Sequence, residues 1–345
     1  MRILQLLRSD SFAGVERYLT YVAPELARRG HEVTVVGGDP LRMAPVFDPV
    51  GVAHLPARTM ADVVWATRAA TRGGRPDLVH THMTAAELAG VVTLPLVRRR
   101  LVTTRHFPAP RGRDRSSRRA WGVLPHVMAA EIAISQFVAD HAGSDCVVIP
   151  NGVPDSGFAA TLSHPVVLVA QRLLPEKDTG TAIQAWARSG LADRGWTLEV
   201  AGEGRERDYL TDLVTRLGIE ASVTFLGAVD DLDRRMAEAS VLVASTPAEG
   251  FGFTVVEAMA AGLPVVAARG GAHPEVLGPL GPELLFTPRD VGDLARVLIE
   301  VVDTVTGDRA AGFALGRRLR ERYEAEYTVE RHVDRLEELY ARIIG

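Results

Sequence analysis

The chain has 345 residues, of which 47% are hydrophobic, and its formal net charge at pH 7 is −4. That length is too great for one ordinary hydrophobic core and suits two domains of roughly 150 residues each. The charge balance gives no indication of a nucleic-acid or membrane partner for the chain as a whole. The single cysteine, Cys146, excludes an internal disulfide and a cysteine metal cluster.

The first residues, MRILQLLRSD, contain an apolar run that ends at Arg8. This run is too short for a signal peptide and is typical of a first strand. The longest other apolar stretch, Leu88–Val97, is interrupted by Thr93 and Pro95. It falls short of the roughly 20 residues that a membrane-spanning helix needs. We therefore expect a cytoplasmic protein.

Short β-rich runs alternate with amphipathic stretches from end to end, which is the pattern of parallel α/β sheets. In the first half the clearest helix is Val15–Arg29, where apolar side chains recur every three or four residues and Gly30 follows the last turn. Strands in this half are predicted at Arg2–Leu7, Val33–Gly37, Val52–Leu55, Leu78–His82, Leu101–Arg105, Glu131–Ile134 and Cys146–Ile149.

A turn-rich break runs from Ile149 to Ser163, after which the alternation restarts. Two successive α/β units predict a two-domain enzyme with a cleft, where small ligands bind near the carboxyl ends of the strands. Strands in the second half are predicted at Val166–Ala170, Thr197–Ala201, Val223–Leu226, Val241–Ala244, Pro264–Ala267 and Leu284–Phe286. Helices are predicted at Gly180–Ser189, Arg207–Leu217, Leu232–Ala239, Thr254–Ala261 and Val291–Val302, and from Ala310 almost to the end with a weak point at Tyr327–Thr328.

The most specific motif is EGFGFTVVEAMAAGLPVVA, which follows a predicted strand and leads into a helix. Glu249 lies in the loop, and Glu257 lies on the first turns of the helix. The intervening glycines let the backbone approach a ligand, and the first N–H groups of the helix, at Phe253, Thr254 and Val255, suit a phosphate. The motif therefore predicts carboxylates for sugar and ribose hydroxyls around a phosphate site. A helix whose acidic first turn merely matches its dipole is the alternative.

The second motif, VVLVAQRLLPEKD, places Arg172 and Lys177 in the loop after a strand. Two cations at the carboxyl end of a strand suit a diphosphate and can neutralise charge on a leaving group. Two solvated surface cations are the alternative. Of the 39 basic residues Lys177 is the only lysine, and Asn151 is the only asparagine. A residue type retained once against a strong compositional bias favours a chemical role.

The third motif is the first turn, RSDSFAGVERYL, where Gly14 precedes a helix. This arrangement again directs a helix N-terminus toward the predicted cleft. It is not a GxGxxG fingerprint, which weakens an interpretation as an NAD-binding protein.

Together with IPNGV, AGEG, VTFLGAV and GGAHPEV, these motifs resemble the family-4 retaining glycosyltransferases of the GT-B fold. The resemblance covers essentially the whole chain in the same order. It implies two Rossmann-like domains with parallel sheets facing a central cleft: an acceptor-side domain over residues 1–155 and a donor-side domain over 156–326. It also implies that a last helix, within 327–345, crosses back to the N-terminal domain.

The resemblance also implies roles for individual residues. Arg172 and Lys177 would hold the diphosphate of the donor, Glu249 would bind hydroxyls of the transferred sugar, and Glu257 would bind the ribose. His106 would contact the donor sugar near the reacting carbon. Of these, His106, Arg172, Lys177 and Glu249 form the predicted catalytic set. The other predicted donor-binding residues are Gly14, Gly202, Gly204, Gly250, Phe251, Gly252, Phe253, Thr254 and Val255, and the candidate acceptor or cleft residues are Ala13, Glu16 and Asn151.

Two segments depart from the family pattern. Ala13 stands where the family commonly has a first glycine before Gly14, and the loop after Val276 reads GPLGPELLF without the usual Asp-Gly and Asn-Gly turns. These departures concern donor and acceptor details more than the fold.

Two further features leave alternatives open. His80 and His82 alternate on one strand and could bind a metal, but no third ligand is spaced to join them, so a site without metal is favoured. The segment Arg98–Arg119 holds nine arginines and one acidic residue, Asp114. It is either a solvated loop or a surface for an anionic acceptor or for anionic lipid headgroups, which would make the protein peripheral at the inner membrane face.

The predicted function is a metal-independent, retaining transfer of a sugar from a UDP-, GDP- or dTDP-linked donor to a sugar, lipid-linked or natural-product acceptor. The donor is a substrate, and no cofactor is expected. The alternatives are a GT-B-like sugar phosphorylase or UDP-sugar epimerase, and a non-catalytic nucleotide-sugar-binding subunit. No nucleic-acid partner is expected.

Overall fold

The computed structural model describes residues 1–9, 14–97, 100–111 and 124–345. These residues form two compact units, one of residues 1–152 with 328–345 and the other of residues 153–327. The predicted boundaries lie after residues 155 and 326, whereas the structure has them after residues 152 and 327.

The described strands of the first unit form a parallel sheet in the order β3-β2-β1-β4-β5-β6-β7. Every residue of the central strands β4 and β5 is buried, as expected for a parallel sheet with both faces covered. The strands are β1 (Arg2–Leu7), β2 (Glu32–Val36), β3 (Ala53–Leu55), β4 (Leu78–His82), β5 (Leu101–Arg105), β6 (Ala130–Ala133) and β7 (Val147–Val148). The helices are α1 (Gly14–Arg28), α2 (Pro40–Phe47), α3 (Met60–Ala70), α4 (Thr84–Val97), α5 (Leu124–Val127) and α6 (Gln136–Ala142), with the last helix of the chain described below.

The second unit contains a parallel sheet in the order β10-β9-β8-β11-β12-β13. Its strands are β8 (Val166–Ala170), β9 (Thr197–Ala201), β10 (Val223–Gly227), β11 (Val241–Ala244), β12 (Val265–Ala268) and β13 (Leu285–Phe286). Its helices are α7 (Thr179–Ser189), α8 (Arg207–Leu217), α9 (Leu232–Glu238), α10 (Phe253–Ala261), α11 (His273–Leu277), α12 (Gly281–Leu284), α13 (Val291–Gly307) and α14 (Arg309–Glu326).

The predicted elements agree with the structure in type and order, and most bounds differ by one or two residues. The largest difference is α13, which continues to Gly307 although the prediction ended it at Val302. The apolar periodicity continues to Val305, which is also buried, so the helix keeps a covered face for another turn.

The last helix, α15 (Val329–Ile344), packs against α1 within the first unit. It begins at Thr328, whose side chain accepts a hydrogen bond from the Arg331 N–H, at the weak point expected in the sequence. Polar contacts complete the packing: the Tyr18 hydroxyl lies 2.9 Å from Nε2 of His332, and Arg29 donates to Asp334.

Four histidines of the first unit are buried: His80, His82, His106 and His332. Burial lowers the pKa of His80 and His106 to about 3 and that of His332 to about 4, and it lowers the pKa of His82 well below its ordinary value. All four are therefore neutral near pH 7. Nδ1 of His80 lies 2.6 Å from the Tyr340 hydroxyl, so the network connects β4 to α15.

We predict that the protein loses stability in mild acid because these histidines are neutral in the folded state. Below pH 6.5, their ordinary pKa, the unfolded chain binds protons that the folded chain does not bind until about pH 4. The free energy of unfolding should therefore fall with decreasing pH, by up to about 1.4 kcal/mol per histidine per pH unit. Urea titrations at several pH values measure this slope.

The matched variants are His332→Gln, which removes one buried histidine, and His126→Gln, which removes an exposed one. The pH slope should decrease in the first variant and stay at the parent value in the second. Equal slopes in all three proteins would show that burial of His332 does not cause the acid sensitivity.

Candidate active site

Three loops of the second unit follow the carboxyl ends of neighbouring strands. One loop follows β8 and carries Arg172 and Lys177, a second follows β11 and carries Glu249, and a third follows β12 and leads to His273, the first residue of α11. Because β8, β11 and β12 are adjacent in a parallel sheet, the loops meet at one edge. Ligands of α/β sheets bind at this edge.

Lys177 and Glu249 form an ion pair at this edge, with Lys177 Nζ 2.6 Å from Glu249 Oε2. Their side chains are 17% and 23% exposed, so the pair is partly shielded from water. Burial raises the pKa of Glu249, but the charge and hydrogen bond of Lys177, together with His273 and the Gly250 N–H, bring it below its ordinary value, and the carboxyl remains ionised. Oε1 of Glu249 accepts a hydrogen bond from the Gly250 N–H at 3.1 Å. Arg172, the other predicted cation, is exposed.

Helix α10 begins directly after the Glu249 loop. Its N-cap, Gly252, has φ +93°, and among the described residues no side chain caps this helix end. A Cβ on Gly252 would make a tight contact of 3.2 Å with the His273 ring, and the positive φ favours glycine at this position. The first N–H groups, at Phe253, Thr254 and Val255, thus begin a helix beside the Lys177–Glu249 pair.

Two further predicted residues of this motif, Glu257 and Phe251, have buried side chains. Glu257 lies in α10 and is buried. The Phe251 side chain is also buried and contacts the rings of Phe253 and Tyr327. Any donor contact at Phe251 would therefore be made by its backbone.

Gly202 and Gly204 allow the β9 loop to pack against the β8 loop. A Cβ on Gly202 would lie 1.9 Å from the Gln171 carbonyl oxygen, and one on Gly204 would lie 2.1 Å from that of Leu173. These glycines are needed for this backbone packing, and their predicted contact with a donor remains a prediction.

His273, which the sequence did not single out, lies next to the Glu249 loop. Its Nδ1 donates to the Ala268 carbonyl oxygen at 3.1 Å, and burial lowers its pKa. The Ala272 N–H donates to the Glu249 carbonyl oxygen at 2.8 Å, so the His273 loop packs directly on the Glu249 loop. The only signal in the sequence was the position of His273 within GGAHPEV, directly after a strand.

The other predicted residues lie in the first unit. His106 follows β5, is buried, and has Nε2 3.1 Å from Nδ1 of His82. Gly14 and Glu16 lie on the first turn of α1, where Glu16 is buried. Asn151 is fully buried, and neither polar atom of its amide has a hydrogen-bond partner among the described residues. Ala13 lies outside the described residues.

The structure corrects the interpretation of Arg98–Arg119 as one surface segment. Arg105 and Arg111 are buried. Arg111 makes a two-point hydrogen bond to Glu87, at 2.6 and 2.9 Å, and contacts Glu131 at 3.0 Å. The sequence could not distinguish a buried ion-pair network from a solvated basic loop. Residues 98–99 and 112–119 lie outside the described residues.

Among the described residues, no cluster of three or more histidine, cysteine or acidic side chains is arranged to hold a metal ion. None of the helices in the described ranges has the length and apolar character to cross a membrane.

Two family models match consecutive parts of the chain. The model for glycosyltransferase family 4 matches residues 12–156, and the model for group 1 glycosyl transferases matches residues 158–309.

Curated relatives are similar over different lengths. An exopolysaccharide phosphotransferase of Streptomyces coelicolor is 32% identical, over 56% of this chain and 21% of the relative. The 2-deoxystreptamine glucosyltransferase of Streptomyces kanamyceticus is 30% identical, over 64% of this chain and 58% of the relative. The chain thus spans less than two thirds of both. An MMP α-(1→4)-mannosyltransferase of Mycolicibacterium hassiacum is 26% identical over 99% of each chain.

Solved structures share the fold over almost the full length. A glycosyltransferase from Rickettsia africae superposes with a TM-score of 0.81 at 18% identity, covering 100% of this chain and 98% of that one. Anabaena HepE in complex with UDP-glucose superposes with a TM-score of 0.80 at 23% identity, covering 99% and 100%. With two parallel α/β units and a family model matching each half, the chain belongs to the family-4 glycosyltransferases of the GT-B fold.

Proposed function

We propose that the enzyme transfers a sugar, with retention of anomeric configuration and without a metal ion, from a nucleotide diphosphate sugar to a small-molecule or lipid-linked acceptor. The observation that carries the proposal is the Lys177–Glu249 pair at the carboxyl edge of the second sheet. A cation and an anion fixed next to a helix N-terminus match a donor that is anionic at its diphosphate and rich in hydroxyls at its sugar.

Each group has a role in this proposal. The ammonium of Lys177, the guanidinium of Arg172 and the first N–H groups of α10 stabilise the negative charge that develops on the leaving diphosphate. Glu249 accepts hydrogen bonds from the transferred sugar, and Glu257 binds the ribose. His106 contacts the donor sugar near the reacting carbon. The acceptor oxygen bonds to the anomeric carbon as the bond to the diphosphate breaks, and the acceptor proton passes to the leaving phosphate.

We propose the nucleotide of the donor and the acceptor as chemical classes. The solved HepE complex contains UDP-glucose, and a curated relative is named for glucosyl transfer to 2-deoxystreptamine. We propose a UDP-, GDP- or dTDP-linked donor and an acceptor that is a sugar, a natural product or a lipid-linked molecule. The same proposal includes a cytoplasmic location. It also includes membrane contact through those basic residues of 98–119 that lie outside the described ranges.

The direct test is a panel of UDP-, GDP- and dTDP-sugars. The true donor should raise the melting temperature because it binds only the folded chain. With an acceptor present, it should also release free nucleotide. A changed donor sugar without net release would indicate an epimerase, and sugar phosphate formation that requires inorganic phosphate would indicate a phosphorylase. Stabilisation without any turnover would indicate a binding subunit.

We predict full turnover in excess EDTA. Two protein cations, Lys177 and Arg172, take the place that a divalent metal would have at the diphosphate. The measurement is nucleotide release before and after chelation. Loss of turnover that Mg²⁺ or Mn²⁺ restores would contradict metal independence.

Lys177→Ala should strongly reduce turnover, and Lys177→Arg should restore it only in part. A compact ammonium and a planar guanidinium place their donors differently, although both carry the charge. Because the chain has no other lysine, an amine-directed reagent should label only Lys177 and the N-terminus. Nucleoside diphosphate should protect Lys177 and leave N-terminal labelling unchanged. Equal labelling with and without nucleotide, and a fully active alanine variant, would refute the assignment.

Glu257→Ala should weaken nucleotide binding by about 1.5–3 kcal/mol while the protein stays folded, because a charge-assisted hydrogen bond to the ribose is lost. Calorimetric titration with the free nucleotide measures this loss. The control is Glu238→Ala on the exposed surface of α9, which should bind like the parent. Parent-like affinity in a folded Glu257→Ala variant would end the ribose assignment.

A further inference from the structure

The proposed chemistry gives no role to Gln171, which lies between the end of β8 and Arg172. Its side-chain amide nitrogen donates to the Lys177 carbonyl oxygen and to Oγ1 of Thr179, both at 2.9 Å. These acceptors lie on either side of Asp178. The Gln171 amide therefore spans the turn that carries Lys177.

The same amide also contacts the loop that leads to Glu249. Nε2 of Gln171 lies 3.0 Å from Oγ of Ser245, and Oγ1 of Thr246 donates to Oε1 of Gln171 at 3.4 Å. Ser245 itself donates to the Lys177 carbonyl oxygen at 3.0 Å. Because Ser245 and Thr246 follow β11 directly, one side chain holds the Lys177 loop against the start of the Glu249 loop.

The turn between these contacts has an unfavourable backbone conformation. Asp178 has φ +54° and ψ +41°, the left-handed region that residues other than glycine rarely adopt. Such a conformation persists only where surrounding contacts determine it. The bonds from Gln171 to Lys177 and Thr179 are two such contacts, so they hold the turn in the shape that directs Lys177 toward Glu249.

We propose that Gln171 is a positioning residue that sets Lys177 opposite Glu249 and thereby places the cation for the donor diphosphate. This inference rests on the proposed function, because it needs Lys177 to act on the donor. Gln171 acts through Lys177 and does not itself touch the donor. The effect of removing the amide should therefore disappear when the ammonium is already absent.

The experiment is a double-mutant cycle with Gln171→Met and Lys177→Ala, measured by kcat and KM for the donor. Methionine keeps the length of the side chain and removes its hydrogen bonds. Gln171→Met should lower kcat/KM on the order of tenfold to a hundredfold, the usual effect of a small misplacement at a reacting centre. In the Lys177→Ala background the same change should have less than about a twofold effect.

Gln184→Met is the matched control, because among the described residues Gln184 hydrogen-bonds within its own helix, at the Gly180 carbonyl oxygen. It should show parent kinetics. If Gln171→Met folds poorly, Ser245→Ala tests the same point, since it removes the other donor to the Lys177 carbonyl oxygen. It should give a smaller loss that also disappears in the Lys177→Ala background.

The outcomes separate this inference from the proposed function. An impaired Lys177→Ala variant with a parent-like Gln171→Met variant overturns the role of Gln171 and leaves that of Lys177 intact. Losses that multiply in the double mutant show that Gln171 acts elsewhere and also overturn the inference. A fully active Lys177→Ala variant overturns both, since there is then no cation to position.

Discussion

The Lys177–Glu249 ion pair depends on the loops after β8, β9, β11 and β12, which pack backbone against backbone at the edge of the second sheet. The pair joins residues that are far apart in the chain, so its geometry follows from how the loops after β8 and β11 are held. Glycine makes that packing possible. A Cβ on Gly202 would meet the Gln171 carbonyl, and one on Gly271 would lie 2.2 Å from the Glu249 carbonyl oxygen. A side chain at position 202 would push the β9 loop away from the loop that carries Lys177, and one at position 271 would push the His273 loop away from the loop that carries Glu249.

The first unit depends on polar groups that satisfy one another in its interior. Tyr18 pairs with His332, and His80 pairs with both Tyr340 and Thr104. Buried groups with partners avoid most of the cost of leaving water, whereas a charged imidazole in the same place would not. The network therefore stabilises α15 against the sheet only while the histidines are neutral. Because α15 packs on α1, it also holds the C-terminal end of the chain in the same unit as the N-terminal end.

The strands, the helices and the loop motifs were predictable because each depends on one continuous stretch of sequence. Contacts between separate stretches could not be predicted from the sequence. Gln171 and His273 stood inside recognised motifs, but the contacts of their loops, Gln171 with Ser245 and Ala272 with Glu249, form only once the fold brings separate loops together. Arg111 was misread for the same reason. Nothing local distinguishes an arginine held between two buried carboxylates from one in water.

The Lys177–Glu249 ion pair need not break for a donor to bind. The Lys177 ammonium has three N–H donors, and among the described residues it gives one to Glu249, so the other two can bind phosphate oxygens. Glu249 uses Oε2 for Lys177 and Oε1 for the Gly250 N–H, and each carboxylate oxygen has a second lone pair for a sugar hydroxyl. If the donor binds as proposed, it adds to an arrangement that is already set. Little reorganisation is then required as charge develops on the diphosphate, which is the condition under which fixed charges accelerate a reaction most. The Lys177–Glu249 contact is on this view a preformed part of the catalytic site, and the hydrogen bonds from Gln171 and Ser245 keep it in place between turnovers.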